Sequence, residues 1–201
     1  MTMRPVTIER SRFDAVVFDM DGVVTDTTAA HKCAWKETFD EFLRSEHGVD
    51  AEPFDASADY LRYVDGKPRY DGVRSFLASR GIELPEGTPD DSVSERTVCG
   101  VGNRKNARFQ ERLSVDGAVA YATTLDLIDS LISAGVKTGL ITSSRNAADV
   151  LGAAGVGDVF GVVIDGAVTA ELGIPGKPAP DVFVEAVKRL GVEPSLSLIH
   201  I

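Results

Sequence analysis

Residues 13–31 read FDAVVFDMDGVVTDTTAAH. A short β-branched run (14–18, DAVVF) ends in two aspartates one residue apart, Asp19 and Asp21, followed by Gly22. Such a run suits a strand buried on both faces of a parallel sheet. A carboxylate at its end can attack phosphorus and form an aspartyl phosphate. A second carboxylate two residues on is near enough to give and take a proton at the same reacting group. Gly22 permits the tight turn that follows. Asp and Gly also favour turns where no chemistry is involved, so D-x-D-G read alone is equally a bend after a strand.

Two further runs, VKTGLIT (136–142) and GVVI (161–164), have the same character. Helical patterns lie between and after them. TLDLIDSLISAG puts Leu125, Ile128, Leu131 and Ile132 on one face, with Gly135 as a stop. AADVLGAAG (147–155) and APDVFVEAVKRLG (179–191) end at Gly155 and Gly191. This alternation predicts a doubly wound, parallel α/β sheet. Ligands of such sheets gather at the carboxyl ends of the strands, here Asp19, Thr142 and the loop after Ile164. Residues 28–115 read as an all-helical insert between the first two strands. AAHKCAWKETFDEFLRSEHG places His31, Trp35, Thr38, Phe39 and Phe42 on one side. YDGVRSFLASRG and ERTVCGVGNRKNARFQERL are helical as well, with IELPEGTPDD as the loop between them. The expected organisation is a discontinuous core, 1–27 and 116–201, carrying a helical domain at 28–115.

The chain has 201 residues, 43% apolar and 26% charged, enough for a folded core with a smaller inserted domain. Its formal net charge of −10 argues against nucleic acid or an anionic membrane as partner. An anionic substrate must therefore meet a locally basic pocket. Cys33 and Cys99 show no metal-ligand spacing and fit a reduced cytoplasmic setting. The first dozen residues, MTMRPVTIERSR, lack the apolar region of a signal peptide. No apolar stretch approaches the roughly 20 residues of a membrane span. The expectation is a cytoplasmic monomer acting on a small molecule.

FDMDGVVTDT (18–27) resembles motif I of the haloacid dehalogenase (HAD) superfamily of phosphotransferases. The resemblance implies Asp19 as nucleophile, Asp21 as general acid/base, and Mg2+ as cofactor on these two carboxylates. GLITSS (139–144) is similar to motif II, which would put Thr142 on the transferring phosphoryl group. GKPAPD (176–181) is similar to motif III, whose lysine, here Lys177, offsets charge at the nucleophile. Singly, Thr142 is also an ordinary strand-end residue and Lys177 an ordinary solvated lysine; their order and spacing as a set carry the resemblance. The helical insert resembles the family's C1 cap, which closes over the site and excludes water.

The wider segment DGVVTDTTAAHKCAWK (21–36) resembles the β-phosphoglucomutase-like subfamily, including Thr27 and His31. That resemblance implies interconversion of β-glucose 1-phosphate and glucose 6-phosphate through an aspartyl phosphate and a bisphosphate. His31 would sit beside the acid/base and couple it to cap closure. The substrate and phosphate positions it implies are Thr27, Gly66 and Arg69 of DGKPR (65–69), Lys105 and Asn106 of NRKNARF (103–109), and Ser143, Ser144, Arg145 and Asn146 of SSRN (143–146). Arg69 would grip the phosphate that is not transferred, since its planar fork binds phosphate oxygens in pairs. Each has a plainer reading too. His31 can be packed on Trp35, Arg69 a surface charge, Arg104, Lys105 and Arg108 a solvated basic face, and SSRN an N-cap cluster. The alternative functions are a phosphatase of a small phosphorylated metabolite and an inactive, truncated ligand-binding domain. The tail GVEPSLSLIHI departs from the subfamily after about Ser195, where a strand leading to a further acidic metal motif is expected. On that ground the last core strands are expected to be missing.

Overall fold

The computed structural model describes Ile8 and residues 10–200, so most of the segment read above for a leader lies outside the described residues. The apolar run becomes strand β1, Ala15–Asp19, with Ala15, Val16, Val17 and Phe18 fully buried. On one side β1 pairs in parallel with β2, Lys137–Ile141, which sets Ala15 opposite Lys137 and Asp19 opposite Ile141. β2 pairs in parallel with β3, Val162–Ile164. On its other side β1 pairs in parallel with β4, Ser197–His200. The strand order is β3-β2-β1-β4. The chain moves outward from β1 and then returns to its far side, so the order reverses at β1 and a crevice opens at its carboxyl end.

Successive residues of β1 point to opposite faces, and both faces are covered. Val16 and Phe18 join Ile128, Leu140, Val150 and Phe160 in one cluster. Ala15 and Val17 join Ile141, Ile164, Val182 and Leu190 in the other. Helices α4 (Ala122–Ser133) and α5 (Ala147–Ala153) serve the first face. A further helix, Asp181–Leu190, serves the second and ends at Gly191 in a left-handed conformation. The stripe expected on α4 is narrower than its sequence suggests: Ile128 and Leu131 are buried, but Ile132 is 48% exposed.

Two readings of the sheet half are corrected. After Ile164, where a loop is expected, helix α6 runs Gly166–Leu172, and the Asp181–Leu190 helix is therefore α7. Asp165 opens α6 by accepting hydrogen bonds from the backbone N–H groups of Ala167 and Val168 at 2.9 and 2.8 Å. The tail is also part of the sheet. A 3-10 turn, Pro194–Leu196, is held to the first strand by the Asp14 N–H donating to the Leu196 carbonyl at 2.8 Å. From there β4 continues in register, with Leu198 packed against the sheet core.

Between β1 and β2 lie α1 (Thr28–His47), a π-helical turn (Tyr60–Val64), α2 (Arg69–Ser79) and α3 (Val98–Asp116). They enclose an aromatic core of their own, with Phe39 4.2 Å from Phe76 and 5.0 Å from Trp35 between ring centroids. Thr97 caps α3, its hydroxyl accepting from the Gly100 N–H at 2.9 Å. The basic run on α3 divides in two. Arg104 and Arg108 both reach Glu41 on α1, and Arg112 reaches Glu37, whereas Lys105 turns inward and is buried. Among the described residues no helix is long and apolar enough to cross a membrane.

Candidate active site

Asp19 is the last residue of β1, so the sheet register fixes its position. Lys177 donates from Nζ to Asp19 Oδ1 at 2.6 Å. Burial pushes the Asp19 carboxyl above the usual range; the Lys177 ammonium opposes that, and the Asp21 charge adds to it. Asp21 follows in a turn in which the Met20 carbonyl accepts from the N–H groups of Val24 and Thr25. Gly22 has φ +79°, and a Cβ there would lie 2.9 Å from Thr28 Oγ1, so the turn requires glycine twice over.

Both oxygens of Asp21 are taken by hydroxyl donors, Thr27 on Oδ1 at 2.6 Å and Thr142 on Oδ2 at 3.1 Å. His31 Nε2 lies 3.2 Å from Oδ1 without the alignment of a hydrogen bond. Burial alone would raise the Asp21 pKa, but the contacts with His31, Thr27 and Thr142 outweigh it and hold it at about 2. His31 itself is pushed below its ordinary value by burial and by the Lys105 ammonium. A neutral His31 leaves the two threonine hydroxyls as the part of the Asp21 shift that depends on no neighbouring charge.

His31 sits in the first turn of α1, stacked on Phe109 at 4.1 Å. Lys105 Nζ is 2.7 Å from His31 Nδ1 and 5.0 Å from the ring centres of both Trp35 and Phe109. Lys105 is only 5% exposed, and burial brings its pKa down to about 7 against the pull of the Asp21 charge. A protonated Lys105 donating to Nδ1 puts the proton of the neutral imidazole on Nε2, facing Asp21.

These groups line a cavity of about 310 Å³ between the sheet edge and the helices. Every candidate singled out from the sequence lines it except Thr27, which is buried behind Asp21 and bonds to it rather than facing a ligand. Arg69, the first residue of α2, comes close to Arg145; burial and then that like charge lower its pKa. Among the described residues neither guanidinium has a carboxylate partner, so the pair is a ready receptor for an anion. The loop after β2 is tied to the helices. Ser143 donates to the Gly66 carbonyl at 2.7 Å, and the Asn146 amide donates to Asn106 at 2.8 Å and accepts from Gln110 at 3.3 Å. Ser144 donates its N–H to Thr142 Oγ1 at 3.0 Å, and the side chain of Asn146 does not cap α5. Sequence reasoning missed Tyr60, Asp65 and Lys67 as wall residues. Tyr60 lies in the π-helical turn, which has no sequence pattern of its own. Trp35, also in the wall, could have been found from its place one turn after His31.

Among the described residues no group of three or more His, Cys, Asp and Glu side chains could hold a metal ion. Mg2+ commonly binds one or two carboxylates together with substrate phosphate oxygens and water. Asp19 fits such a partial site, and each Asp21 oxygen, though it accepts from one hydroxyl, keeps a second lone pair.

The description of haloacid dehalogenase-like hydrolases matches residues 13–198. A β-phosphoglucomutase of Mycobacterium tuberculosis is 45% identical over 188 residues, which cover 92% of this chain and 72% of that protein. A β-phosphoglucomutase of Bacillus subtilis is 31% identical over 188 residues, 90% of this chain and 71% of that one. In fold, the chain is similar to the crystal structure of the Clostridium difficile β-phosphoglucomutase, with a TM-score of 0.70 at 24% identity over 93% of this chain and 75% of the other.

Proposed function

The chain belongs to the haloacid dehalogenase-like hydrolase family, and from that premise we propose that it is a phosphotransferase of the β-phosphoglucomutase type, interconverting β-glucose 1-phosphate and glucose 6-phosphate. Asp19 attacks one phosphorus of a bound glucose 1,6-bisphosphate, and the P–O bond to the sugar breaks as the aspartyl phosphate forms, leaving the other phosphate on the sugar. Asp21 gives a proton to the departing sugar oxygen and takes one back from the hydroxyl that next accepts the phosphoryl group. It is ionised in the free protein, and the proton it gives is the one taken from the accepting hydroxyl in the preceding half-reaction, the phosphate charge raising its proton affinity meanwhile. Thr142 and Lys177 hold the reacting end. Mg2+, held by Asp19 together with the phosphate oxygens, would offset the negative charge gathered there.

A mutase must hold a bisphosphate by both ends. The single observation that carries this reading is the Arg69–Arg145 pair, without acidic partners, in the same cavity as Asp19 and Lys177. Ser143, Ser144, Asn146, Lys105 and Asn106 would complete the grip on the distal phosphate and the sugar. Helices of 28–115 would act as a cap, tied to the sheet half through Gly66 and Asn106. The family's hydrolase description supports a second reading, a sugar-phosphate phosphatase in which water replaces the second hydroxyl. Incubation with β-glucose 1-phosphate, Mg2+ and a trace of glucose 1,6-bisphosphate separates the two. Glucose 6-phosphate is the expected product; glucose with free phosphate would establish the phosphatase.

A further inference from the structure

Gly176 stands one residue before Lys177, and Pro68 one residue before Arg69. They come from opposite halves of the molecule and meet. A Cβ at position 176 would lie 2.6 Å from Pro68 Cγ and 3.3 Å from Cδ. Carbon atoms rest at about 3.5–4.0 Å, and a proline ring cannot swing aside as a long side chain can. Both residues line a second cavity, about 470 Å³, which shares Arg69, Thr142, Ser143, Arg145 and Lys177 with the reaction cavity. Pro68 and Gly176 line only the second cavity, but their chain neighbours Arg69 and Lys177 line both, so the contact stands beside the wall that the two spaces share.

We propose that the Gly176–Pro68 contact is the seal that decides whether the phosphoryl group on Asp19 passes to a sugar hydroxyl or to water. The inference rests on the phosphotransferase reading above. In either outcome the Asp19 Oδ–P bond breaks, a P–O bond to the incoming oxygen forms, and Asp21 takes the proton of that oxygen. The acceptors differ only in access. The sugar is held by its own contacts, whereas water needs an opening. Any side chain at 176 props Pro68 away and carries Arg69 with it, admitting water and displacing the distal grip together. Gly176 and Pro68 are thus positioning residues acting through the closed form.

The test compares wild type, Gly176→Ala and the double variant Gly176→Ala/Pro68→Gly. The Pro68→Gly change removes the ring that the new methyl strikes. The ratio of free phosphate to isomerised sugar phosphate is expected to rise about tenfold or more in Gly176→Ala, within the ~10²-fold that a 1 Å misplacement costs. It should return toward wild type in the double variant. Simple loss of folded protein lowers both products alike and leaves the ratio unmoved. A second readout needs no turnover. Trp35, the single tryptophan of the chain, is 4% exposed in the cavity wall. Its acrylamide quenching, measured with inorganic phosphate and Mg2+, should increase in Gly176→Ala and be restored in the double variant. If wild type yields only free phosphate, the mutase reading fails, and the quenching series alone decides the seal. An unchanged ratio and unchanged quenching in Gly176→Ala, or changes that the Pro68→Gly replacement does not reverse, would overturn the proposal.

Discussion

The sheet half and the helical half bury their apolar side chains by different means. Around β1 the core is aliphatic, Val16, Val17, Leu140, Ile141 and Ile164, and backbone ladders on both sides of the strand leave it no lateral freedom. Around α1 and α2 the core is aromatic, Trp35, Phe39, Phe54 and Phe76, and its helices are linked outside by guanidinium–carboxylate pairs. The sheet places Asp19 on a short side chain at the end of a fixed strand. The helices bring Lys105 and Arg69 to the same cavity on longer side chains, Lys105 buried against His31, Trp35 and Phe109.

The largest effect that would break this division concerns Asp19. Asp19→Asn is expected to lower steady-state turnover of sugar phosphate on the order of 10⁶-fold, as loss of a nucleophile does, while leaving the urea midpoint within the range of ordinary surface changes. Turnover within tenfold of wild type would remove the sheet half's claim to the chemistry. Next comes the aromatic core. Phe39→Ala should destabilise the protein by about 3–5 kcal/mol in urea titration followed by Trp35 emission, with turnover per folded molecule retained. A loss under about 1 kcal/mol would mean that the helical half does not depend on its ring stack.

Lys105 sharpens the comparison through pH. Its pKa in the fold is about 7 against an ordinary 10.5, so between these values the unfolded chain binds the extra proton. Stability therefore rises as pH increases across that window. Lys105→Met should flatten that rise when urea midpoints are compared between pH 7 and 10. A slope unchanged by the substitution would show that the ammonium is not held in an apolar setting. The smallest effect belongs to the exterior. Glu41→Gln, which removes the partner of both Arg104 and Arg108, should cost less than about 1 kcal/mol, and the cost should shrink further in high salt.

Much of the site was legible because its chemistry is local in the chain. Asp19, Asp21 and Gly22 stand together at the end of a strand whose pattern is unmistakable, and Thr142 closes a similar segment; Lys177 follows no strand and is marked only by the GKPAPD motif. What sequence could not supply was orientation. Lys105 stands one residue from Arg104 and three from Arg108, yet it points inward while they pair with Glu41. Thr27 belongs to the same motif as Asp21 but turns its hydroxyl onto that carboxylate instead of toward a substrate. α6 escaped notice because seven residues opening on Asp-Gly read as a turn until the Asp165 cap is seen. β4 escaped because a four-residue strand has too few side chains to show alternation; only pairing with β1 identifies it.

The pairing of Ala15 with Lys137 has a consequence for how the chain acquires its shape. The two partners are about 120 residues apart, and closing so long a loop is entropically slow. The helices that fill the interval pack mainly on one another, α1 and α2 on α3, and leave the ribosome before β2 is made. They can be in place while the first strand still waits for its neighbour, so the helical wall of the cavity begins to form before Asp19 is held in register.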